Sequence, residues 1–412
     1  MPDSARTRVE RDALGELAIP ADALYGIHTA RSLVNLRFSR RRLGDCAAHV
    51  SALARVKRAA ARANADAGVL EPRLAAAIER AAVALEGGAH LDQFPVDPLG
   101  GGGSIGVHMN ANEVLANLAN EALGGRRGGY APVRALEHVS VSQSTADVCH
   151  TAARLAVREH ARAVDAALDD AVSGLDAKAA ELAHVTTLAR TCLRDAMPVS
   201  MSVLVSGWAR LLERARLALA ESLEPLDSVA LGGTAIGTGA GAPARYRERV
   251  VAILADLEGR PLAARADLPD ALQNGDDLVA ISGAAVSIAN ALVKIGGDLR
   301  LLFSGPDGGF GELELPHVQA GSSFFAGKSN PVVPETAIAC ALHVFGLDRT
   351  VRAAAERAEL HLHVFDGIAA TSLLEALEGE ANAIALLDSR CLRGLRANAA
   401  RCNALAAGAR AR

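Results

Sequence analysis

The chain has 412 residues, of which 50% are hydrophobic and 22% charged; this composition provides buried cores and excludes a mostly disordered protein. Its 43 Lys and Arg residues nearly balance 47 Asp and Glu residues, and the two signs are interspersed, which argues against a nucleic-acid track or a membrane-surface patch. Aromatic residues make up only 3% of the chain. A core of small aliphatic side chains therefore favours close-packed helices over a β-sandwich or barrel.

The compartment is predicted from the N-terminus, the apolar stretches and the cysteines. The first twelve residues, MPDSARTRVERD, are charged and lack the apolar region of a secretory signal, so the cytoplasm is expected. The apolar stretch at 278–293 contains Ser, Gly and Asn and is shorter than the ~20 residues of a membrane span. Six cysteines are scattered without CxxC or zinc-like spacing, which predicts reduced thiols.

In chain order, residues 1–145 are predicted to form a first domain of short helices and loops, which is mainly helical. Glycine-rich breaks interrupt it at 100–103 and 124–129. From residue 147 to residue 173 there is no Gly or Pro, and apolar residues recur at helical intervals. This pattern predicts a helix much longer than average.

Similar aliphatic patterns follow at 197–223, 278–303 and 334–394. Helices of this length need long partners, so residues 146–395 are predicted to form a bundle domain of antiparallel helices. Its apolar faces indicate a homo-oligomeric core. The Ala-rich and Arg-rich end, 396–412, is expected to fray.

Four polar segments lie between these patterns. The most unusual is GSSFFAGKSNP at 321–331, whose glycines allow a mobile loop, whose hydroxyl and N–H groups can hold an oxyanion, and whose Lys328 and Asn330 can hold a carboxylate. A polar surface loop explains the same pattern. The other three segments are SQST at 142–145, TCLRDAMP at 191–198 and MNANE at 109–113. Their structural explanations are, in the same order, a helix cap, a turn between two helices and a helix start.

The order and the amino-acid sequences of these segments resemble those of the aspartase/fumarase superfamily over nearly the whole chain. The family signature, GSSxMPxKxNP, corresponds to residues 321–331, and the flanking ELELP at 312–316 and VVPE at 332–335 are similar to the aspartate ammonia-lyase branch. The other segments that are similar to that branch are LGE at 14–16, IPADALYGIHTAR at 19–31, and residues 110–116, 138–145, 232–239 and 294–306.

The resemblance implies an all-α homotetramer with a long antiparallel helical bundle as its core and with active sites shared between three subunits. The implied reaction is reversible β-elimination from a substituted succinate to give fumarate, without a metal or organic cofactor and without a nucleic-acid or membrane partner. The implied base is Ser322, which removes a Cβ proton and leaves a doubly charged enediolate. A serine of ordinary acidity cannot do this, so the loop must close, exclude water and surround the serine oxygen with donors.

The family's substrate contacts, transferred to the matching residues, form two groups. Ser144 and Thr145, with Ser323 nearby, match the hydroxyl groups around the carboxylate where charge builds up. The positions that match the contacts of the other carboxylate are Thr191, Lys328 and Asn330. Because both groups are present, the substrate is expected to have a succinate skeleton.

The positions around the leaving group depart from the aspartase pattern. Ile105 stands where that family has Thr, Ala146 where it has Asn, and Cys192 where it has His. Each replacement removes a hydrogen bond to the substrate ammonium that is worth roughly 1.5–3 kcal/mol. His108 is assigned to the same pocket. These changes argue against L-aspartate as the substrate.

The expected function is therefore that of a carbon–nitrogen lyase acting on a succinate with a bulkier or less cationic nitrogen group. The alternatives are a true aspartate ammonia-lyase in which His108 or Arg194 restores contacts, a fumarase-like carbon–oxygen lyase, and a non-catalytic oligomer subunit. The similarity ends near Ala407, where aspartase-like chains continue into a small C-terminal helical domain. That domain is therefore expected to be missing, which would leave the 321–331 loop less covered.

Overall fold

The computed structural model describes residues 6–410 and is mostly helical. Its helices are α1 (Ile27–Asn35), α2 (Ala47–Asp66), α3 (Pro72–Glu86), α4 (Ile105–Ala122), α5 (Thr145–Glu181), α6 (Met201–Ser222), α7 (Ala244–Glu258), α8 (Leu268–Gln273), α9 (Asp276–Phe303), α10 (Val332–Ala355), α11 (Asp366–Leu387) and α12 (Ala399–Arg410). Its strands are β1 (Thr7–Asp12), β2 (Gly15–Pro20), β3 (Thr186–Thr191), β4 (Arg194–Ser200), β5 (Ser228–Val229), β6 (Ala263–Ala264), β7 (Leu313–Glu314) and β8 (Arg396–Ala397).

The chain divides into two compact units. The first unit comprises the chain up to Glu159, Glu224–Val279 and Thr350–Leu374. The second unit comprises His160–Leu223, Ala280–Arg349 and Glu375–Arg412. Four of the five boundaries fall inside helices, namely α5, α9, α10 and α11, and the fifth follows the end of α6. The sequence-based division at residues 145 and 395 remains a prediction.

In the first unit, small side chains allow α2 to pack closely on its neighbours. Half of its twelve buried residues are alanines, and the helix contacts α3 and α7. A carboxylate then fixes α4 against the start of α1. Glu113 of α4 accepts hydrogen bonds from the N–H groups of Gly26, His28 and Thr29 at 2.8, 2.9 and 3.2 Å. A negative group at this end of α1 satisfies N–H groups that have no partner within the helix.

A buried ion cluster joins α5, α9 and α11 within the first unit. Arg154, whose side chain is 1% exposed, lies 3.0 Å from Asp277 and 2.6 Å from Asp366. Arg265 adds a contact of 3.1 Å to Asp277. Although burial opposes ionisation, the charge of Arg154 holds the pKa of both carboxyl groups below its usual value. All these charges are paired, as charges buried in a protein have to be.

The predicted long helices form, but the all-α expectation is too strict. The helices predicted at 147–173 and 278–303 correspond to α5 and α9, whereas the pattern at 334–394 is divided between α10 and α11. Within residues 6–410, four small two-stranded sheets accompany the helices. One of them replaces the expected turn at 191–198, because β3 and β4 pair as an antiparallel hairpin.

The C-terminal segment also differs from its prediction. Residues 396–397 form β8, which pairs with β7, and residues 399–410 form α12. Cys402 of α12 is fully buried. The expectation of a frayed end at 396–412 is therefore wrong over residues 396–410, and the expectation of a missing C-terminal domain has no support.

In the described part of the chain, α9 is the one helix that is long and apolar enough to cross a membrane by length and composition. It is longer than the apolar stretch at 278–293 suggested. Of its most apolar window, 56% is buried inside the protein, as expected for a helix in a protein core.

Glu380 is a buried acid without a counter-charge in the part of the chain that the structure describes. Glu380 of α11 is 0% exposed, and neither of its carboxylate oxygens has a hydrogen-bond partner among residues 6–410. Burial raises its pKa well above the ordinary value. The pKa of Cys340 on α10 is also raised, to about 11, by burial first and by Glu380 second. Burial without a counter-charge therefore favours the neutral form of Glu380.

We expect Glu380→Gln to stabilise the fold increasingly as the pH rises. An acid whose pKa is raised by folding must take up a proton to fold once the pH exceeds its ordinary value of 4.5. The wild type then loses up to about 1.4 kcal/mol per pH unit until the folded pKa is reached. Equilibrium unfolding between pH 4 and pH 9 would measure the difference between the two proteins. Glu378→Gln, at an exposed position of the same helix, is the control, and a difference that did not grow with pH would contradict the prediction.

Candidate active site

The polar segment at 142–145 lies at the start of α5 and lines a cavity of about 440 Å³ within the first unit. Ile105 and His108 of α4 line the same cavity, as do residues of the 234–241 loop. The structure thus brings together four of the predicted site residues: Ile105, His108, Ser144 and Thr145. Ala146 instead packs in an apolar cluster with Ala230, Ala271 and Leu272.

A buried aspartate holds this cavity wall in place. Asp147 accepts hydrogen bonds from the N–H groups of Ser144 at 2.9 Å and of Gly232 and Thr234 at 3.1 Å each. It therefore attaches the glycine-rich loop to the start of α5. Burial raises its pKa to about 6, despite these donors. Sequence reasoning did not single out Asp147, although the spacing S-x-x-D is typical of a helix N-terminus.

A second missed residue is Lys57 of α2, which is 1% exposed. Its Nζ lies 2.7 Å from Nε2 of His108 and 2.9 Å from Oε1 of Gln143. Burial lowers its pKa to about 7. The sequence contains a signal for this burial, because Lys57 falls at helical spacing on the same face as Val50, Leu53 and Ala54, which are buried.

His108 connects Lys57 to the predicted substrate contacts. Its second ring nitrogen, Nδ1, lies 2.8 Å from Oγ1 of Thr145. Burial, and after it the charge of Lys57, holds the pKa of His108 well below its usual value, so the ring is neutral. Both ring nitrogens are therefore engaged, and Lys57, a cation when protonated, lies on one side. This geometry disfavours the alternative in which His108 binds a substrate ammonium.

Thr191 and Cys192 lie at the tip of the β3–β4 hairpin in the second unit, and both are exposed. Cys192 and Leu193 form the turn with φ angles of 51° and 57°, a left-handed conformation that non-glycine residues rarely adopt.

The base of this hairpin is fixed by Glu312, which is fully buried. Its carboxylate lies 2.6 Å from Nη1 of Arg190 and accepts a hydrogen bond from Thr187. The Arg190 guanidinium also stacks 4.2 Å from the ring centre of Phe310. The first glutamate of the ELELP segment therefore supports the hairpin.

The 321–331 loop also belongs to the second unit. The side-chain oxygen of Ser322 accepts hydrogen bonds from the N–H groups of Phe324 at 3.1 Å and Phe325 at 2.8 Å. The loop is closed at its base, where the Asn330 amide donates to the Gly321 carbonyl. Two N–H donors aimed at one oxygen favour its negatively charged form. Ser322 thus has part of the surroundings that a serine base needs.

Other side chains of this loop face solvent. Ser323 and Lys328 are exposed, and Phe324 and Phe325 are 85% and 61% exposed. The two aromatic rings contact each other edge to face, with centres 4.9 Å apart. Exposed apolar rings next to exposed polar side chains are typical of a surface that is completed by another molecule.

The predicted contacts are thus divided between the units. Ser144 and Thr145, which are predicted to bind one substrate carboxylate, lie in the first unit. The residues predicted to bind the other carboxylate, Thr191, Lys328 and Asn330, lie in the second unit, as do Ser322 and Ser323. Among residues 6–410, the structure contains no group of three or more His, Cys, Asp or Glu side chains arranged to hold a metal ion. The predicted roles remain predictions at this point.

Comparison with known proteins identifies the family. A family model described as lyase matches residues 15–346. Over 407 residues the chain is 40% identical to aspartate ammonia-lyase of Pseudomonas fluorescens, covering 98% of this chain and 85% of that protein. Over 396 residues it is 38% identical to fumarate hydratase class II of Methylorubrum extorquens, covering 96% of this chain and 84% of that protein.

Solved structures agree with these relatives. A fumarate lyase:delta crystallin from Brucella melitensis, solved bound to cobalt, superposes with a TM-score of 0.94 at 40% identity, covering 97% of this chain and 87% of that chain. A class II fumarase from Schistosoma mansoni superposes with a TM-score of 0.93 at 30% identity, with the same coverage. The sequence resemblance is confirmed: the chain belongs to the aspartase/fumarase superfamily of lyases.

Proposed function

We propose that this lyase forms fumarate by base-catalysed β-elimination of a nitrogen leaving group from a substituted succinate. The observation that carries the proposal is the Ser322 oxygen, which accepts two backbone N–H groups in a solvent-facing loop. Donors of this kind stabilise an alkoxide, and an alkoxide is strong enough to take a proton from carbon. The geometry therefore supports Ser322 as the catalytic base.

The proposed reaction proceeds in two steps. Ser322 takes a proton from Cβ, and the electron pair of that C–H bond moves onto the adjacent carboxylate as an enediolate. The pair then returns to form the Cα–Cβ double bond while the C–N bond breaks, and the nitrogen group leaves with that bond's electrons. The site must therefore stabilise two negative charges on one carboxylate.

The start of α5 fits that carboxylate. Ser144 and Thr145 offer hydroxyl groups at the N-terminus of a 37-residue helix, where the helix dipole favours a negative group. Both line the 440 Å³ cavity, and none of its lining residues in the described chain is acidic. An anion in this cavity therefore meets donors without a competing carboxylate.

The second carboxylate is assigned to Thr191, Lys328 and Asn330, with Ser323 contributing to the first. Because Thr191, Ser323 and Lys328 are exposed in one protomer, we propose that the site is completed in a homotetramer whose active sites are shared between subunits. The central helices would form its antiparallel bundle. We further propose a cytoplasmic enzyme without nucleic-acid or membrane partners and without a cofactor.

The leaving group is proposed to be a nitrogen substituent that is bulkier or less cationic than an ammonium. Ile105 presents an apolar side chain to the cavity, and it is 42% exposed. Ala146 packs among apolar residues, and Cys192 replaces the family's histidine. A carbon–oxygen lyase is the second candidate, because a relative at 38% identity is named fumarate hydratase class II.

The test is to follow fumarate by its ultraviolet absorbance with aspartate, malate and a panel of N-substituted and nitro succinates. Turnover of an N-substituted or nitro succinate in preference to aspartate and malate supports the proposal. A preference for aspartate would establish an ammonia-lyase, and a preference for malate a carbon–oxygen lyase. If no compound is turned over or bound, the protein is a non-catalytic subunit.

Ser322→Ala is expected to lower kcat by roughly 100-fold or more, because a positioned base contributes at least this factor, while the oligomer stays assembled. Fumarate release and size-exclusion chromatography measure the two effects. The matched control is Ser329→Ala, which removes a hydroxyl from the same loop at a position with no proposed role. Full activity of Ser322→Ala, or an equal loss in both variants, would remove Ser322 as the base.

Restoring the family's polar residues at two exposed positions, with Ile105→Thr and Cys192→His together, is expected to raise kcat/KM for aspartate by roughly 10-fold or more. Each new partner for an ammonium is worth roughly 1.5–3 kcal/mol, part of which is lost to imperfect geometry. Ile105→Val, which keeps the cavity wall apolar, is the control. Wild-type turnover of aspartate at the rate of its best substrate would contradict the altered pocket.

A further inference from the structure

The contacts around Lys57 and His108 determine which atoms carry protons. A protonated lysine side chain has three N–H donors and no acceptor. Its neighbours are Oε1 of Gln143 at 2.9 Å and Nε2 of His108 at 2.7 Å. Gln143 is fixed with this oxygen toward Lys57, because its amide nitrogen donates to the carbonyls of Val139 and Val141, both at 3.0 Å. In its protonated form, which predominates below a pKa of about 7, Lys57 therefore donates to both neighbours.

This arrangement selects one tautomer of His108. If Nε2 accepts from Lys57, the single ring proton of the neutral imidazole resides on Nδ1. Nδ1–H then donates across 2.8 Å to Oγ1 of Thr145. His108 is 3% exposed, so water does not compete strongly for either nitrogen.

This tautomer of His108 determines the hydrogen-bonding role of the Thr145 hydroxyl. A threonine hydroxyl has one proton to donate, and it can accept as well. With His108 donating to the oxygen, the hydroxyl proton is left for another acceptor. Thr145 lines the cavity, so its proton is available to an oxygen bound there. A hydroxyl that accepts one hydrogen bond also donates a stronger one.

We propose that Lys57 and His108 are positioning residues, which direct the Thr145 hydroxyl proton onto the substrate carboxylate where charge accumulates. Lys57 fixes the tautomer of His108, and His108 fixes the donor direction of Thr145. The inference rests on the proposed function in one respect, the assignment of Thr145 to that carboxylate. It assigns two residues to the mechanism that lie behind the cavity wall and do not touch the substrate.

Two substitutions at His108 separate the two halves of this chain of hydrogen bonds. Asparagine places its amide nitrogen near the position of Nδ1, so His108→Asn keeps a donor toward Thr145 without reaching Lys57. Glutamine reaches toward the position of Nε2, so His108→Gln keeps a contact to Lys57 and loses the donor to Thr145. The two variants have similar polarity and volume, so a general packing defect would affect both.

The substrate used is the one that gives the fastest fumarate release in the panel, and succinate, which has no leaving group, is the binding probe. We expect His108→Gln to lower kcat by roughly 10-fold, the value of one hydrogen bond of average strength or slightly more, with KM changed less. Succinate binding, measured by calorimetry, should weaken by a smaller factor than kcat. His108→Asn should stay close to the wild type in both measurements.

Lys57→Met provides a conditional test. It should lower kcat in the wild-type background, because the tautomer of His108 is no longer fixed. In the His108→Asn background it should have little effect, because an amide nitrogen donates without this help. Such non-additivity is measured by a double-mutant cycle. His90→Gln, at an exposed histidine of the first unit, controls for the loss of an imidazole elsewhere.

The outcomes distinguish this inference from the proposed function. If the wild type turns over a succinate and both His108 variants match it, or both lose the same activity, the positioning role is overturned and the proposed function stands. If the wild type neither binds succinate nor releases fumarate, the proposed function fails and the positioning role fails with it. Loss in His108→Gln with rescue in His108→Asn supports the inference.

Discussion

The carboxylate of Asp147 is the contact on which the cavity in the first unit depends. It accepts N–H groups from the start of α5 and from the glycine-rich loop, which are separated by more than 80 residues in the chain. A loop of this kind has little apolar surface to hold it in place, so a few polar contacts decide its position. The pKa of Asp147, raised to about 6, indicates that these three donors do not fully offset the cost of burial. The anchor beside the predicted carboxylate site is thus a carboxylate whose burial is only partly offset by its donors.

The other buried charged residues also depend on how far polar or charged partners offset the cost of burial, and the result differs from residue to residue. Arg154 is surrounded by Asp277 and Asp366, so its burial leaves no charge without a partner. Glu380 has no such partner among the described residues, and burial raises its pKa, which favours the protonated form. Lys57 lies between these two cases, because it has polar neighbours but no direct ion pair, and its pKa falls to about 7. Chemistry is expected at such intermediate positions, where a group can change its proton without unfolding the protein.

The sequence predicted the long helices because their apolar spacing is local, and α5 and α9 match the patterns closely. It did not predict the β3–β4 hairpin, whose turn places Cys192 and Leu193 at positive φ. Neither residue type favours that conformation, so the hairpin depends on pairing and on the Glu312 anchor, which is distant in sequence. The cavity residues were predicted from sequence motifs that match the family, whereas Lys57 and Asp147 were missed because their roles arise from contacts between segments that are distant in sequence. Helical spacing could nevertheless have marked Lys57 as a buried charge.

The cavity and its surroundings also bear on the leaving group. The groups that converge there are hydroxyls, the N-terminus of α5 and, behind His108, a lysine. The carboxylate of Asp147, next to the start of α5, is directed at three backbone N–H groups. In the proposed site these features all stabilise negative charge, and a cation entering the cavity would meet apolar Ile105 and engaged His108. The same positive environment that would assist the enediolate therefore weakens binding of an ammonium. A leaving group with little positive charge resolves this conflict without requiring any change in the residues that hold the carboxylate.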